Sequence, residues 1–371
     1  MPGGGNALEA QVVIGLDAVI VAVTGDTPRI LAVRGADRTR AGSPDPPGSE
    51  AGGGPDAIPS GPFDPSGDRT LELGLRRWVR EQTGLGVGYV EQLYTFGDRN
   101  RDPLERRGGP RVISVAYLAL VREGKPSGSA GADWCDWYRF FPWEDWRDGP
   151  PAVIGAHIEP ALEGWVRREP DRRAREERRE RGDIHFGLRG APWVPERVLE
   201  RYELIYEIGL AAESARDRGV SRPAPSAAPP SGAPPSGAPP SGAPPGDADP
   251  GRRDGWRKRM GQPMALDHRR ILATALGRLR GKLKYRPVVF ELLPAEFTLL
   301  GLQRVLEALG GVRLHKQNRR RLVETGARVE GTGRFDLRTG GRPAELFRFR
   351  RSVLRERPAS GVGLPGIRHG A

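Results

Sequence analysis

The chain is divided by a segment that cannot build a hydrophobic core. Residues 221–245 consist almost entirely of Ser, Ala, Gly and Pro, and they include three consecutive copies of SGAPP at 231–235, 236–240 and 241–245. Because proline lacks a backbone donor and small side chains bury little apolar area, this composition predicts an extended, disordered linker. The 371 residues are enough for a folded domain on each side of it.

Charge is distributed unequally between the two sides. From Gly251 onward there are 28 Lys and Arg against 10 Asp and Glu, a net charge of +18. The first 250 residues hold the remaining 31 basic and 37 acidic residues, a net charge of −6. A strongly basic module that follows an acidic one indicates a polyanionic partner for the C-terminal half.

Several functional classes are disfavoured by composition. Cys135 is the single cysteine, so the chain can form neither an internal disulfide nor a thiolate metal cluster, and the five histidines show no ligand spacing. The apolar run Val12–Val23 is interrupted by Asp17 and is too short to span a bilayer. We therefore expect a soluble, cytoplasmic protein without a membrane partner, a metal site or a required cofactor.

The N-terminal half shows alternating strand and helix patterns. Apolar periodicity predicts helices at Leu71–Gln82, Ala152–Arg168 and Val198–Ala215. It predicts strands at Gln11–Val23, Ile30–Val33, Val87–Phe96, Arg111–Val121 and Trp137–Phe141. The segment Ala36–Ala57, rich in Gly, Pro and Ser, is predicted to be a mobile loop. The charge run Arg167–Gly182 is interpreted as a solvated helix end or a tether. This order of elements indicates a mixed α/β domain.

The C-terminal half has the element order of a winged helix-turn-helix. A helix at Leu266–Leu283 and an apolar strand at Pro287–Leu292 precede a helix that starts at Thr298, an N-cap residue with Phe297 as hydrophobic staple, and ends near Leu309. A second helix is predicted at His315–Glu324, and a β-hairpin is predicted from Val329–Phe335 and Glu345–Phe349. Helix, short turn, helix and hairpin are the parts of a DNA-binding module.

The basic residues lie where such a module meets DNA. The candidate contacts come from three places. The predicted helix His315–Glu324 carries Lys316, Gln317, Asn318, Arg319, Arg320 and Arg321, and the predicted hairpin, the wing, carries Arg334, Arg338 and Arg342. Lys282 and Lys284 lie at the end of the helix Leu266–Leu283. A solvated basic face is the alternative interpretation. RNA is a less favoured partner, because no aromatic platform accompanies the basic residues.

One segment of the N-terminal half opens at Gly61 and closes with Arg77, Glu81 and the sequence Thr83-Gly84-Leu85. This spacing resembles a Nudix box, the loop–helix–loop motif with which Nudix hydrolases hold divalent cations against a diphosphate. The residues at the two metal-ligand positions are Trp78 and Gln82, and Arg69 stands where an upstream glutamate is expected. Because a tryptophan cannot bind Mg²⁺ and a neutral amide is a poor substitute for a carboxylate, we expect no hydrolysis, no catalytic residues and no bound metal.

Longer motifs point to one family. Tyr89–Asp98, Arg111–Ala119, Asp267–Leu276 and Leu279–Pro287 resemble the Nudix-related transcriptional regulators of NAD metabolism (NrtR/NadQ-like), and Trp137–Trp146 with Gly341–Phe347 is similar to the NadQ branch. The resemblance implies an α/β (α+β) fold, a Nudix-like α/β/α sandwich followed by a winged helix-turn-helix. It divides the chain into a Nudix-like effector-sensing domain at 8–170, a charged tether and connecting helix at 171–218, a linker at 219–256, a winged-helix DNA-binding domain at 257–357 and a disordered tail at 358–371.

The resemblance also implies a function. Such a protein is a homodimeric repressor of NAD biosynthesis or salvage genes that binds a palindromic operator in double-stranded DNA and responds to ADP-ribose, NAD or ATP. The effector is expected against these residues: Arg77, Glu81, Asp98, Arg99, Arg101, Asp102 and Arg111. Arginines can supply the counter-charge for a diphosphate in place of a metal. An active Nudix pyrophosphatase is the alternative, and an RNA-binding or structural protein with a vestigial Nudix scaffold is a weaker one.

Overall fold

The computed structural model describes residues 12–34, 55–99, 101–127, 131–220, 259–314, 329–337, 343–350 and 352. The predicted mobile loop up to residue 54, the linker, the predicted helix His315–Glu324 and the tail lie outside these described residues. Asp56 and Ala57, which we assigned to the loop, form a short strand instead, because they pair with the end of the second strand.

Seven strands form one mixed sheet. They are β1 (Val12–Thr24), β2 (Thr27–Arg34), β3 (Asp56–Ala57), β4 (Ser60–Pro62), β5 (Tyr89–Phe96), β6 (Arg111–Leu120) and β7 (Ala132–Asp136). The strand order is β3-β2-β1-β6-β5, with β4 also paired to β1 and β7 to β2. The pair of β1 and β6 is parallel, and the other pairs are antiparallel.

The described helices begin with α1 (Leu71–Thr83) and α2 (Pro103–Arg106). A π-helical turn (Ile154–Ile158) then leads into α3 (Glu159–Arg167), and α4 (Arg172–Phe186), α5 (Val198–Glu207), α6 (Ala212–Val220), α7 (His268–Leu283) and α8 (Leu299–Gly310) follow. Local signals fix α1: Thr70 accepts a hydrogen bond from the Leu73 amide, and Gly84 ends the helix in the left-handed conformation. Among the described helices, none is both long and apolar enough to cross a membrane.

The sheet is buried on both faces. Successive residues of β1 point to opposite sides, so that Leu16 and Ile20 belong to one core cluster and Val19 and Val21 to another. Helix α1 covers the first face through Leu75 and Val79. Helix α7 contacts β1, β5 and β6, and its buried apolar side chains belong to the second cluster. The predicted α/β/α sandwich is confirmed, and one of its helical layers comes from beyond the linker.

The two sides of the linker therefore share a core. Helix α5, which precedes the linker, packs on α7, which follows it. Two glycines with positive φ allow the backbones to approach: a Cβ on Gly261 would lie 2.3 Å from the Phe140 carbonyl oxygen, and a Cβ on Gly311 would lie 2.3 Å from the Glu144 carbonyl oxygen. The sequence suggests two tethered domains, whereas the structure packs the two halves together.

Two strand predictions were wrong, and one of the two interpretations of the charge run is excluded. Trp137–Arg139 is a 3₁₀ turn rather than a strand, because Asp136 accepts a hydrogen bond from the Tyr138 amide and turns the chain after β7. Val288–Leu292 is also a 3₁₀ turn, which follows Pro287 and buries Val288, Val289 and Leu292. The charge run is not a tether: it forms α4, capped by Asp171 and supported by i,i+4 ion pairs.

The predicted winged-helix parts are present where the structure describes them. Thr298 caps α8, since its hydroxyl accepts a hydrogen bond from the Gly301 amide at 3.0 Å. The wing consists of β8 (Val329–Asp336) and β9 (Ala344–Phe349). Phe297 exchanges two backbone hydrogen bonds, of 2.9 and 2.8 Å, with Phe347. The residue predicted as a staple thus also fixes the wing to the start of α8.

Candidate functional site

The two metal-ligand positions of the Nudix-like helix bind backbone. The indole nitrogen of Trp78 donates to the Pro62 carbonyl oxygen at 2.6 Å. The amide of Gln82 donates to the Ser60 carbonyl oxygen at 2.6 Å and accepts from the Ser60 amide at 3.2 Å. A Cβ on Gly61 would lie 2.3 Å from the Trp78 ring, so the indole lies directly against β4. Both side chains therefore attach α1 to β4.

A donor set for a metal is not found elsewhere in the described part of the chain. Among those residues, no group of three or more His, Cys, Asp or Glu side chains is placed to hold an ion. Cys135 is buried, and burial raises the pKa of its thiol, which keeps it protonated at neutral pH. The Cys135 thiol is therefore not an activated nucleophile.

Arg77 has a partner that spacing did not reveal. Its guanidinium binds the Asp68 carboxylate at 3.0 and 2.8 Å, and it also forms an i,i+4 ion pair with Glu81 at 3.6 Å. The Arg77 guanidinium lowers the pKa of the Asp68 carboxyl, and that carboxylate in turn raises the pKa of Arg77. Asp68 precedes Arg77 by nine residues, outside any helical spacing, although its position before the Thr70 cap was visible in the sequence.

The remaining predicted effector residues come after β5 along the chain, and two of them contact α7, which lies on the face of the sheet opposite α1. Asp98 forms an ion pair with Arg270 of α7, and Arg101 binds Asp267 at the start of α7 at 2.6 and 3.0 Å. Arg99 is exposed, and Asp102 is buried. Arg111 is exposed and donates to the Gly97 carbonyl oxygen at 2.8 Å.

The predicted effector residues thus fall into two groups. Arg77 and Glu81 lie on α1, which covers one face of the sheet, whereas Asp98 and Arg101 contact α7 on the opposite face. A role for any of these residues in effector binding stays a prediction.

The predicted DNA contacts are also distributed unequally. Lys282 forms an ion pair with Glu91 of β5 and donates to the Tyr89 hydroxyl at 3.0 Å, and Lys284 forms an ion pair with Glu196. Both lysines thus contact the N-terminal half in this arrangement, and a contact with phosphate would require these ion pairs to open. Arg334 is exposed on the wing and pairs with Glu296 at 2.9 Å. The others lie outside the described residues: Lys316, Gln317, Asn318, Arg319, Arg320, Arg321, Arg338 and Arg342.

The Gln82 contacts give a direct test of the altered box. We expect Gln82→Glu to lower the free energy of unfolding by about 1–3 kcal/mol, because a carboxylate oxygen would replace the amide donor against the Ser60 carbonyl oxygen. Chemical denaturation measures the change. The control is Arg80→Gln on the exposed side of the same helix, which should stay within about 0.5 kcal/mol of the native chain. A Gln82→Glu chain of undiminished stability that binds Mg²⁺ would show that this position faces a metal site after all.

Comparison with known proteins finds a family match in the C-terminal half. Residues 289–349 match the family model described as the NrtR DNA-binding winged helix domain. A curated protein of Acinetobacter baylyi (strain ADP1), the ADPR responsive transcriptional repressor NtrR, is 40% identical over 87 residues, which cover 23% of this chain and 34% of that protein. The chain thus spans about a third of the length of this curated relative.

Solved structures of similar proteins were also found. Shewanella oneidensis NrtR, crystallised with a 27mer DNA, is 19% identical with a TM-score of 0.48, over 96% of this chain and 99% of that one. The NUDIX domain of the same protein, crystallised with ADP ribose, is 24% identical with a TM-score of 0.28, over 36% of this chain and 78% of that one. The family match confirms the resemblance drawn from the motifs, since residues 289–349 match the NrtR DNA-binding winged helix domain.

Proposed function

We propose that the chain is a DNA-binding transcriptional repressor of NAD biosynthesis or salvage genes, controlled by an NAD-related nucleotide. The observation that carries the proposal is the match of residues 289–349 to the NrtR DNA-binding winged helix domain. The described part of that region supports it: α8 begins at a capped residue, and a hairpin wing is attached to the start of α8 through Phe297.

The C-terminal half would supply the DNA contacts. The net charge of +18 from Gly251 onward suits a phosphate backbone. In a winged helix the second helix of the pair reads base edges, so the basic run from Lys316 to Arg321 is the proposed reading element, and the exposed Arg334 of the wing would bind phosphate. A homodimer on a palindromic operator would place two such elements on successive half-sites.

The N-terminal half would sense the effector. ADP-ribose is the first candidate, because one relative is described as an ADPR responsive repressor and another was crystallised with ADP ribose. NAD and ATP share the adenosine diphosphate group and remain candidates. The division into a sensing half and a winged-helix half is retained as part of the proposal, with two changes. The segment assigned as a charged tether is helical, and α7 belongs to the winged-helix segment along the chain but shares a core with the sensing half.

We further propose that the chain is not a hydrolase. Trp78 and Gln82 stand where the box of a Nudix enzyme carries glutamates, and both side chains are bonded to β4. The alternative, an active pyrophosphatase, makes a different forecast. Mg²⁺-dependent cleavage of ADP-ribose that disappears in a Glu81→Gln chain would establish it, and we expect no such turnover.

A titration of the full-length chain tests the function. Fluorescence anisotropy with a duplex from the chain's own upstream region, with and without ADP-ribose, NAD and ATP, should show specific binding that one nucleotide shifts. Arg319→Ala should weaken binding by about fivefold or more, the loss of about 1–3 kcal/mol given by one base contact. The matched control is Arg173→Ala on exposed α4, which should leave DNA affinity unchanged. Indifference of the native chain to duplex DNA would overturn the proposal.

A further inference from the structure

Two ion pairs of opposite polarity join the segment after β5 to the first turn of α7. In one, the acid is on the β5 side, since Asp98 pairs with Arg270. In the other, the base is on the β5 side, since Arg101 binds Asp267 through two hydrogen bonds of 2.6 and 3.0 Å. We call these four residues the crossed clasp. It joins residues from the two sides of the linker.

The clasp is built around a buried guanidinium. The Arg101 side chain is 4% exposed and the Asp267 side chain 19% exposed. A second carboxylate, that of Asp17, lies 3.8 Å from the Arg101 guanidinium and is itself buried. An arginine in such surroundings must keep an anionic partner, because an unpaired buried charge is strongly unfavourable. Arg101 can therefore exchange one anion for another, but it cannot be left without one.

The start of α7 is a position from which a change can reach the DNA-binding half. The segment before it is fixed to the sheet by the Ala265 amide, which donates to the Asp56 carbonyl oxygen, and by His268, whose Nδ1 accepts from the Ile58 amide. At the other end of α7, the Arg280 side chain donates to the Leu309 carbonyl oxygen at 2.9 Å. One helix thus links the clasp to the C-terminus of α8.

We propose that the crossed clasp couples the effector site to the DNA-binding half: a phosphate of the bound nucleotide takes Arg101 from Asp267 and so weakens the attachment of the first turn of α7 to the segment after β5. A phosphate suits this exchange, because guanidinium binds phosphate and carboxylate in the same bidentate manner. The change in the position of α7 reaches α8 through the Arg280 contact. This inference rests on the proposed function, and it specifies how that function is regulated.

Coupling between two sites is reciprocal, and this gives the clasp a measurable signature. If the nucleotide must break the Arg101–Asp267 pair to bind, its affinity is reduced by the cost of that step. Asp267→Asn removes the competing charge in advance. We expect the variant to bind ADP-ribose about fivefold or more tighter than the native chain, and its DNA affinity to become nearly the same with and without the nucleotide.

The experiment measures four affinities of each full-length chain: for ADP-ribose alone, for operator duplex alone, and for each in the presence of the other. The matched control is Glu196→Gln, which breaks the Lys284 pair, another contact across the linker that lies outside the clasp. Its ratio of DNA affinities with and without nucleotide should stay within about twofold of the native ratio. Thermal melts verify that both variants are folded.

The possible results distinguish a failure of the clasp proposal from a failure of the proposed repressor function. Loss of the nucleotide effect in Asp267→Asn, with nucleotide binding kept and Glu196→Gln unchanged, supports the clasp. If the nucleotide shifts the DNA affinity of the native chain and shifts that of Asp267→Asn equally, the clasp proposal is wrong and the repressor proposal stands. A native chain that binds neither ligand overturns the proposed function and the clasp together.

Discussion

Cutting the chain inside the SGAPP repeats should leave its two halves bound to each other. A protease site inserted between the second and third copies, after residue 240, would separate the covalent chain into fragments 1–240 and 241–371. We expect the cut fragments to elute together in size-exclusion chromatography and to unfold in a single transition. The reason is that α7 covers the face of the sheet formed by Val19, Val21, Leu118 and Leu120, which would otherwise be exposed to water.

Two glycines of α7 provide a matched pair of variants for the cut chain. A Cβ on Gly277 would lie 2.6 Å from the Glu196 carbonyl oxygen, so Gly277→Ala forces α7 away from the segment before α5. A Cβ on Gly281 would lie 3.9 Å from Glu196 Cγ, an ordinary contact. Both changes add the same methyl group to the same helix. We expect Gly277→Ala to weaken the association of the fragments by about fivefold or more, a loss of about 1–3 kcal/mol from overpacking, and Gly281→Ala to leave it unchanged.

Two independently moving domains would give the opposite result. Fragments that elute separately, each with its own unfolding transition, would mean that the linker alone joins them. Effector binding in one half could then reach the other only through dimer contacts, because a flexible tether transmits no torque. A co-eluting pair would instead allow the nucleotide to act through α7.

The sequence predicted which segments are buried better than it predicted what they are buried against. The apolar stripe of Leu266–Leu283 predicted a helix, and α7 lies at His268–Leu283. Nothing in that stripe distinguishes a winged-helix core from the face of a distant sheet, since either partner satisfies the same periodicity. The repeats predicted a linker, but they did not indicate that the segments on either side of it pack together.

In the candidate site, too, the sequence predicted the local elements but not the partners that they contact. The box predicted the scaffold helix and the loss of glutamates at Trp78 and Gln82. It could not predict that these side chains bind Pro62 and Ser60, because such contacts depend on where β4 lies in three dimensions. The partners of Arg101 and Lys282 were missed for the same reason. Asp267 and Glu91 lie far from them along the chain, and ion pairs at long sequence separation leave no periodic signal.

The second large effect is expected at Glu144, which joins three parts of the molecule. Its carboxylate binds the Arg201 guanidinium of α5 at 2.6 and 2.9 Å and forms an ion pair with Arg280 of α7, and all three side chains are fully buried. We expect Glu144→Gln to lower the free energy of unfolding by about 3–5 kcal/mol, because it leaves two buried guanidinium groups without a counter-charge. Urea denaturation measures the loss. The exposed pair of Arg173 and Glu177 is the control, and Glu177→Gln should cost about 1 kcal/mol or less.

A second substitution distinguishes charge from fit at the same position. Glutamine preserves the shape of Glu144 and removes its charge, whereas Glu144→Asp preserves the charge and shortens the side chain. If the carboxylate stabilises the fold by neutralising Arg201 and Arg280, the glutamine variant is the less stable of the two. If its hydrogen-bond geometry matters more than its charge, the aspartate variant is the less stable. Since α5 and α7 lie on opposite sides of the linker, the charge account also requires Glu144→Gln to weaken the association of the cut fragments, while Glu177→Gln leaves it unaltered.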